Sequence, residues 1–140
     1  MAPFFLVQGL LEELKSSHGH VINVSSIHAK LTKPRFTCYA ASKAALEALT
    51  RSLAIELSPL GISVNAIAPA AISTEMLKAG FNHAPEKLSE LERCHPSKNI
   101  GTPEDIAAFI HMSTNHSGKF LTGSVIDYNG GIAGVLHDPE

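Results

Sequence analysis

Three polar residues in one stretch of this chain could cooperate in acid–base chemistry: Ser26, Tyr39 and Lys43. Tyr39 and Lys43 are four positions apart, so on a helix they share a face, one turn from each other. An ammonium beside a phenol favours the phenolate and draws the phenol down from its reference pKa of about 10. A phenol tuned in that way passes a proton to or from a substrate oxygen near neutral pH. Ser26 ends an apolar run, Val21-Ile22-Asn23-Val24, and can hydrogen-bond the same oxygen. The carboxyl end of a parallel strand is where open α/β sheets place ligands. A plainer reading stays open, in which Tyr39 packs on the sheet and Lys43 is solvated.

These residues need a strand for Ser26 and a helix for the other two. His20 to Ser26 reads as a short strand, apolar enough for a sheet buried on both faces. Cys38 to Ser58 reads as the longest helix, with Leu46, Leu49, Leu53 and Leu57 on its apolar side and Pro59 and Gly61 ending it. Before them, Phe4, Leu6, Leu10 and Leu14 predict one helix from Pro3 to about Ser16, stopped by the Gly19 turn. After them, Ile62 to Ile67 reads as a second strand. Glu75 to Asn99 is irregular, with Met76, Leu77 and Phe81 in one amphipathic piece and Leu88 and Leu91 in another. Thr102-Pro103-Glu104-Asp105 is a helix start: a capping threonine, proline at the first helical position and acids in the first turn. Asn115 to Gly118 stops that helix, Ser124 to Tyr128 is the last strand, and the tail to Glu140 is expected to be partly ordered. Strands alternating with helices predict a parallel sheet covered on both faces.

Bulk composition excludes several classes. The chain has 140 residues, 44% hydrophobic and 17% charged, as in an ordinary globular domain. A formal net charge of -2 gives no reason to expect nucleic acid or an acidic membrane as partner. No apolar run is long enough to span a bilayer, and residues 1–14 end in acids, so they read as helix and not as a leader. Cys38 and Cys94 lack a short spacing and predict reduced thiols in a cytoplasmic setting. The eight histidines include no helical i, i+4 pair with a carboxylate, and no metal site is expected.

The chain resembles the short-chain dehydrogenase/reductases. The matching pieces are Asn23-Val24-Ser25-Ser26, Tyr39-Ala40-Ala41-Ser42-Lys43, Val64-Asn65-Ala66-Ile67-Ala68-Pro69, Thr74, Gly101-Thr102-Pro103-Glu104-Asp105-Ile106-Ala107, and Thr122-Gly123 through Asn129-Gly130-Gly131. They run in order and at the family's spacing over nearly the whole chain. The resemblance implies an α/β fold: the carboxyl-terminal strands and helices of a Rossmann-like doubly wound parallel sheet. It implies an NAD(P)-dependent oxidoreductase interconverting an alcohol and a carbonyl. Tyr39 would be the general acid/base and would also contact the substrate and the cofactor, Lys43 would also hold the nicotinamide ribose, and Ser26 would orient the carbonyl. The turn after the second strand, from Pro69, would lie beside the nicotinamide, with the Ile72 backbone and Thr74 on its carboxamide. The family usually has glycine where this chain has Ala70, whose Cβ would crowd or tilt the ring. His28, two residues beyond Ser26, is placed at the rim of the substrate pocket with the loop from Ile27 to Thr37. The segment from Glu75 to Asn99 would be a mobile lid, and its apolar side chains lean toward a lipid-like, steroid-like, acyl or sugar-derived carbonyl. The Pro3 and Cys38 helices would form a homodimer, or part of a homotetramer, across a twofold axis; the small-residue strip Ala40, Ala41, Ala44, Ala45 and Ala48 permits close approach.

One half of such a domain is not in these residues. There is no glycine-rich turn of the dinucleotide-binding kind, no acid placed to grip the adenosine ribose, and no Asn-Asn-Ala-Gly stretch. The chain therefore reads as a single, amino-terminally truncated domain. The strand at Val21 to Val24 is expected to expose a sheet edge, and these residues alone are expected not to bind a dinucleotide. The alternative function is an inactive association module that dimerises through the two helices.

Overall fold

The structure is a computed structural model, and it describes residues 2–115 and 120–136. In chain order it contains α1 (Ala2–Gly9), α2 (Leu11–Ser16), β1 (His20–Val24), α3 (Thr37–Leu57), β2 (Ser63–Pro69), α4 (Glu75–Gly80), α5 (Pro85–Cys94), α6 (Pro103–Thr114) and β3 (Val125–Tyr128). The three strands form one open parallel sheet in the order β1-β2-β3. Val24, Ile67 and Ile126 share one level across the sheet. The α/β class and the parallel sheet are as expected. The tail from 137 to 140 and the stretch 116–119 lie outside the described residues; Asn115 caps α6.

β2 is the centre. Every residue from Ser63 to Pro69 is buried, as a continuous apolar run sandwiched between two strands requires. Its one amide side chain does structural work on both sides of its plane. The buried Asn65 donates from Nδ2 to the Leu121 carbonyl at 2.9 Å and accepts at Oδ1 from the Ser124 N–H at 3.0 Å. Thr122 Oγ1 accepts from the Val64 N–H at 3.1 Å, and the Gly123 N–H donates to the Val64 carbonyl at 2.8 Å. Asn65 and Thr122-Gly123 are thus parts of one clasp that leads the chain into β3.

α1, α2 and α3 cover one face. Val7, Leu53, Ala54, Leu57, Ile62 and Val64 are its buried core. Alternation along the strands sends neighbouring residues to the opposite face, where Phe109 of α6 meets Tyr128 of β3 with ring centroids 5.6 Å apart. α6 begins with a reciprocal cap: Thr102 Oγ1 accepts from the Asp105 N–H, and the Asp105 carboxylate accepts from the Thr102 N–H. The Thr102 hydroxyl also donates to Asp105 Oδ2 at 2.7 Å, and this bond first, then the one from the Thr102 N–H, holds the Asp105 carboxyl below its usual range.

Three expectations need correction. The helix predicted from Pro3 to Ser16 is interrupted at Leu10, where Gly9 supplies no side chain and little helix propensity. β1 stops at Val24, before Ser26, and is half-buried instead of buried on both faces, because it is the edge of the sheet. The second strand runs on to Pro69, so the turn toward Thr74 starts later than predicted. The segment from Glu75 to Asn99 holds two short helices, α4 and α5, which carry the Met76-Leu77 and Leu88-Leu91 pieces. Among the described residues no helix is long and apolar enough to cross a membrane.

Candidate active site

The candidate residues gather at the carboxyl ends of β1 and β2. What places them is a set of polar rungs between β1 and α3. Asn23 Nδ2 donates to Thr50 Oγ1 at 2.9 Å, and Thr50 Oγ1 donates to the Leu46 carbonyl. The Ser25 hydroxyl donates to Glu47 Oε1 at 3.1 Å and approaches the Lys43 carbonyl at 3.3 Å. Lys43 Nζ donates to the Val24 carbonyl at 2.8 Å. Asn23, the Val24 carbonyl and Ser25 thus meet Thr50, Lys43 and Glu47, which lie on one face of the helix. A buried polar group without a partner is costly, so a shift of α3 by one residue along β1 would orphan several groups at once. The register fixes where Lys43 and Tyr39 stand relative to Ser26.

Ser26 is buried and opens the 3-10 turn Ile27–Ala29, its Oγ accepting from the His28 N–H at 3.2 Å. That turn turns the His28 ring toward Tyr39, with centroids 5.8 Å apart and the planes at 76°. Tyr39 lies in the first turn of α3 and is 43% exposed. Lys43 Nζ sits 5.6 Å from the centre of the Tyr39 ring. The contacts close on themselves: Ser26 to His28, His28 to Tyr39, Tyr39 to Lys43, and Lys43 back to the carbonyl of Val24, two residues before Ser26. Tyr39 is therefore not the sheet-packed aromatic of the plainer reading, and Lys43 is not merely solvated.

Pro69 is the last residue of β2, against which the Ile27–Ala29 turn packs, and Ile72 and Thr74 lie just beyond it. Ile72 bridges to Gly101, where the Gly101 N–H donates to the Ala71 carbonyl and the Ser73 N–H to the Gly101 carbonyl. A Cβ on Gly101 would stand 2.7 Å from Ile72 Cδ1, so a side chain here would push the end of the Ile72 side chain aside. Thr74 caps α4, its Oγ1 accepting from the Leu77 N–H at 3.2 Å, which leaves the O–H to donate. Ala70 continues the pairing with β3 through its N–H to the Tyr128 carbonyl at 3.2 Å.

The rim loop is tied down on both sides. Lys30 Nζ pairs with the Asp127 carboxylate of β3 at 2.8 and 3.1 Å. Lys33 stands over the Phe36 ring at 4.5 Å. The His28 imidazole is held below its ordinary value, first by burial and then by the Lys33 charge, against a smaller opposing pull from the Leu31 backbone. A base whose folded pKa is lowered binds its proton more readily in the unfolded chain. The stability it lends is whole above the ordinary histidine range and drains away as the pH falls through it. The expected result is an NMR midpoint for His28 below that of an unstructured histidine, and a flatter acid limb of the unfolding curve in His28→Gln. A midpoint at or above the unstructured value would contradict this.

Sequence reasoning named Ser26, His28, Tyr39 and Lys43 and missed Asn23, Ser25, Glu47 and Thr50. Their signal was present: Asn23 and Ser25, two apart at the end of an otherwise apolar run, matched by Glu47 and Thr50 on the inward side of the helix.

Comparison with known proteins identifies the family and the fold. The family model described as enoyl-(acyl carrier protein) reductase, which represents the carboxyl-terminal portion of the short-chain dehydrogenase/reductase fold, matches residues 1–133. Protein FixR of Bradyrhizobium diazoefficiens is 39% identical over 132 residues, 94% of this chain and 45% of that protein. 3beta-hydroxysteroid dehydrogenase 1 of Eggerthella lenta is 40% identical over 114 residues, 81% of this chain and 43% of that protein. Among solved structures, ElxO with NADP bound superimposes with a TM-score of 0.84 at 29% identity, covering 94% of this chain and 54% of that one. The chain spans about half the length of these relatives. With its parallel sheet, its motifs and this match in hand, the chain belongs to the short-chain dehydrogenase/reductase family, as the carboxyl-terminal portion of that fold.

Proposed function

We propose that this chain supplies the substrate side of an NAD(P)-dependent oxidoreductase that interconverts an alcohol and a carbonyl. The observation that carries the reading is the closed circuit of contacts through Ser26, His28, Tyr39 and Lys43. In the oxidising direction the substrate hydroxyl gives its proton to the Tyr39 oxygen as the carbon–oxygen double bond forms; in the reducing direction Tyr39 returns it. The Ser26 hydroxyl donates to the substrate oxygen and steadies negative charge growing there. The Lys43 ammonium stabilises charge on the phenol oxygen during the transfer. His28 forms the rim. A nicotinamide cofactor, when bound, supplies the hydride exchange. The residues past β2 fit such a group: the Ile72 N–H is not used in the bridge to Gly101, and the Thr74 O–H is free to donate, so both suit a carboxamide beside Pro69. NADP stands in the ElxO structure, which supports a dinucleotide of this class.

The test is a chimaera in which this chain replaces the matching segment of the Eggerthella lenta enzyme. With a panel of secondary alcohols that includes 3β-hydroxysteroids, it is expected to reduce NAD or NADP. These 140 residues alone are expected to show no dinucleotide binding at micromolar concentration, because they carry no pyrophosphate-binding turn. Micromolar affinity of the chain alone, or an inert chimaera that folds and binds cofactor, would overturn the reading.

A second reading has its own observation. Phe5 and Leu6 of α1 and Ile55 of α3 are large apolar side chains that face solvent, and a cleft of about 460 Å³ lies between Pro3, Phe4, Ala45, Leu46 and Leu49. Pairing of two copies through the Pro3 and Cys38 helices would cover this surface, as a homodimer or within a homotetramer. Sedimentation of the purified chain is expected to show self-association; a well-folded monomer would count against it.

A further inference from the structure

Phe36 stands immediately before α3, in the capping position, where serine, threonine, aspartate or asparagine would satisfy an N–H of the first turn. Phenylalanine offers no such hydrogen bond, and none is made. The residue before it, Arg35, has φ of 71°, in the left-handed region that side-chain-bearing residues avoid. Two local rules are thus broken side by side; Thr74 and Thr102 cap α4 and α6 as expected, α2 and α5 also start without a side-chain cap, but neither of those follows a left-handed residue. Such departures gather where the chain needs a side chain in a particular place.

Here the place is the centre of the rim. The Phe36 ring lies against His28 with centroids 4.5 Å apart and planes at 33°. It meets Tyr39 edge to face, at 5.8 Å and 87°, and Lys33 covers it at 4.5 Å. Tyr39 is well exposed, and the contacts that steady its ring are these neighbours and Lys43. We propose that Phe36 is a positioning residue for Tyr39: its ring, placed by the left-handed turn at Arg35, confines the phenol to the one rotamer that stands edge-on to both His28 and Phe36. This rests on reading Tyr39 as the proton-transfer residue, but the geometric part stands apart from it.

The test has two arms. In the 140-residue chain, three-bond couplings report the Tyr39 χ1 rotamer. One rotamer is expected in the native chain, averaging in Phe36→Leu, and one rotamer again in Phe36→Tyr, which restores an aromatic ring. An edge-to-face pair is worth about a three- to tenfold bias in rotamer population. In the chimaera, kcat is expected to fall by about the same factor in Phe36→Leu with KM little changed, and to recover in Phe36→Tyr. Should Phe36→Leu not fold, Phe36→Met gives the same comparison. Tyr39 held in one rotamer without the ring overturns the proposal, as does kcat unchanged when the rotamer averages. A chimaera that is inactive with Phe36 intact sinks the function and leaves the rotamer arm to decide the positioning.

Discussion

Replacing Tyr39 with phenylalanine is expected to lower the chimaera's turnover by about 10²- to 10⁴-fold, the usual worth of a positioned proton-transfer group. The ring stays, so the edge contacts with His28 and Phe36 survive and the site keeps its shape. Only the hydroxyl is lost. Cofactor affinity should change little, because only one oxygen of Tyr39 is lost and the contacts assigned to Lys43, Pro69, Ile72 and Thr74 are untouched. The check is a comparison of kcat with the cofactor dissociation constant. A fall in both by similar factors would mean that Tyr39 shapes the site and does not move the proton.

Replacing Lys43 with methionine should cost about 10²-fold or more in kcat, the scale of losing one preorganised charge or donor at a reacting centre. Unlike the tyrosine variant it should also weaken cofactor binding, if Lys43 holds the ribose as well. The fold should persist, since Asn23 with Thr50 and Ser25 with Glu47 still lock α3 to β1. Lys43→Arg should recover little. Its planar fork cannot reproduce the single donor that Lys43 directs at the Val24 carbonyl. Near-normal rates in the arginine variant would show that any positive charge suffices there.

The sequence was most legible where one residue type answers one physical demand. Thr102-Pro103-Glu104-Asp105 could only be a helix start, and it is one, with both capping hydrogen bonds made. The run from Ile62 to Ile67 reads as a strand, and all of it is buried. The candidate site was legible through spacing: Tyr39 and Lys43 one turn apart, Ser26 at a strand exit. What was hidden depends on partners distant in the chain. Glu47 looks like a surface acid, yet it is only 5% exposed because Ser25, 22 residues away, takes its carboxylate. Phe36 looks like a loop aromatic, because a residue in a capping position is judged by its hydrogen bonds and not by its ring. The break at Leu10 was hidden for a different reason: leucine periodicity carries across Gly9, and the backbone does not follow it.

The position of β1 explains the remaining mismatch. Its residues have the composition of a strand buried on both faces, but Val24 is 46% exposed at the sheet edge. Composition reports the environment for which a segment is suited, and neighbouring strands decide whether that environment is met. Lys43 donating to the Val24 carbonyl satisfies one group along that edge.

The most direct test of the account is a crystal structure of the chimaera with NADPH and a bound ketone. The account predicts the carbonyl oxygen within about 2.6–3.2 Å of both the Tyr39 hydroxyl and the Ser26 hydroxyl, with the nicotinamide beside Pro69. A carbonyl oxygen bound away from both hydroxyls, in a complex competent for turnover, would contradict it.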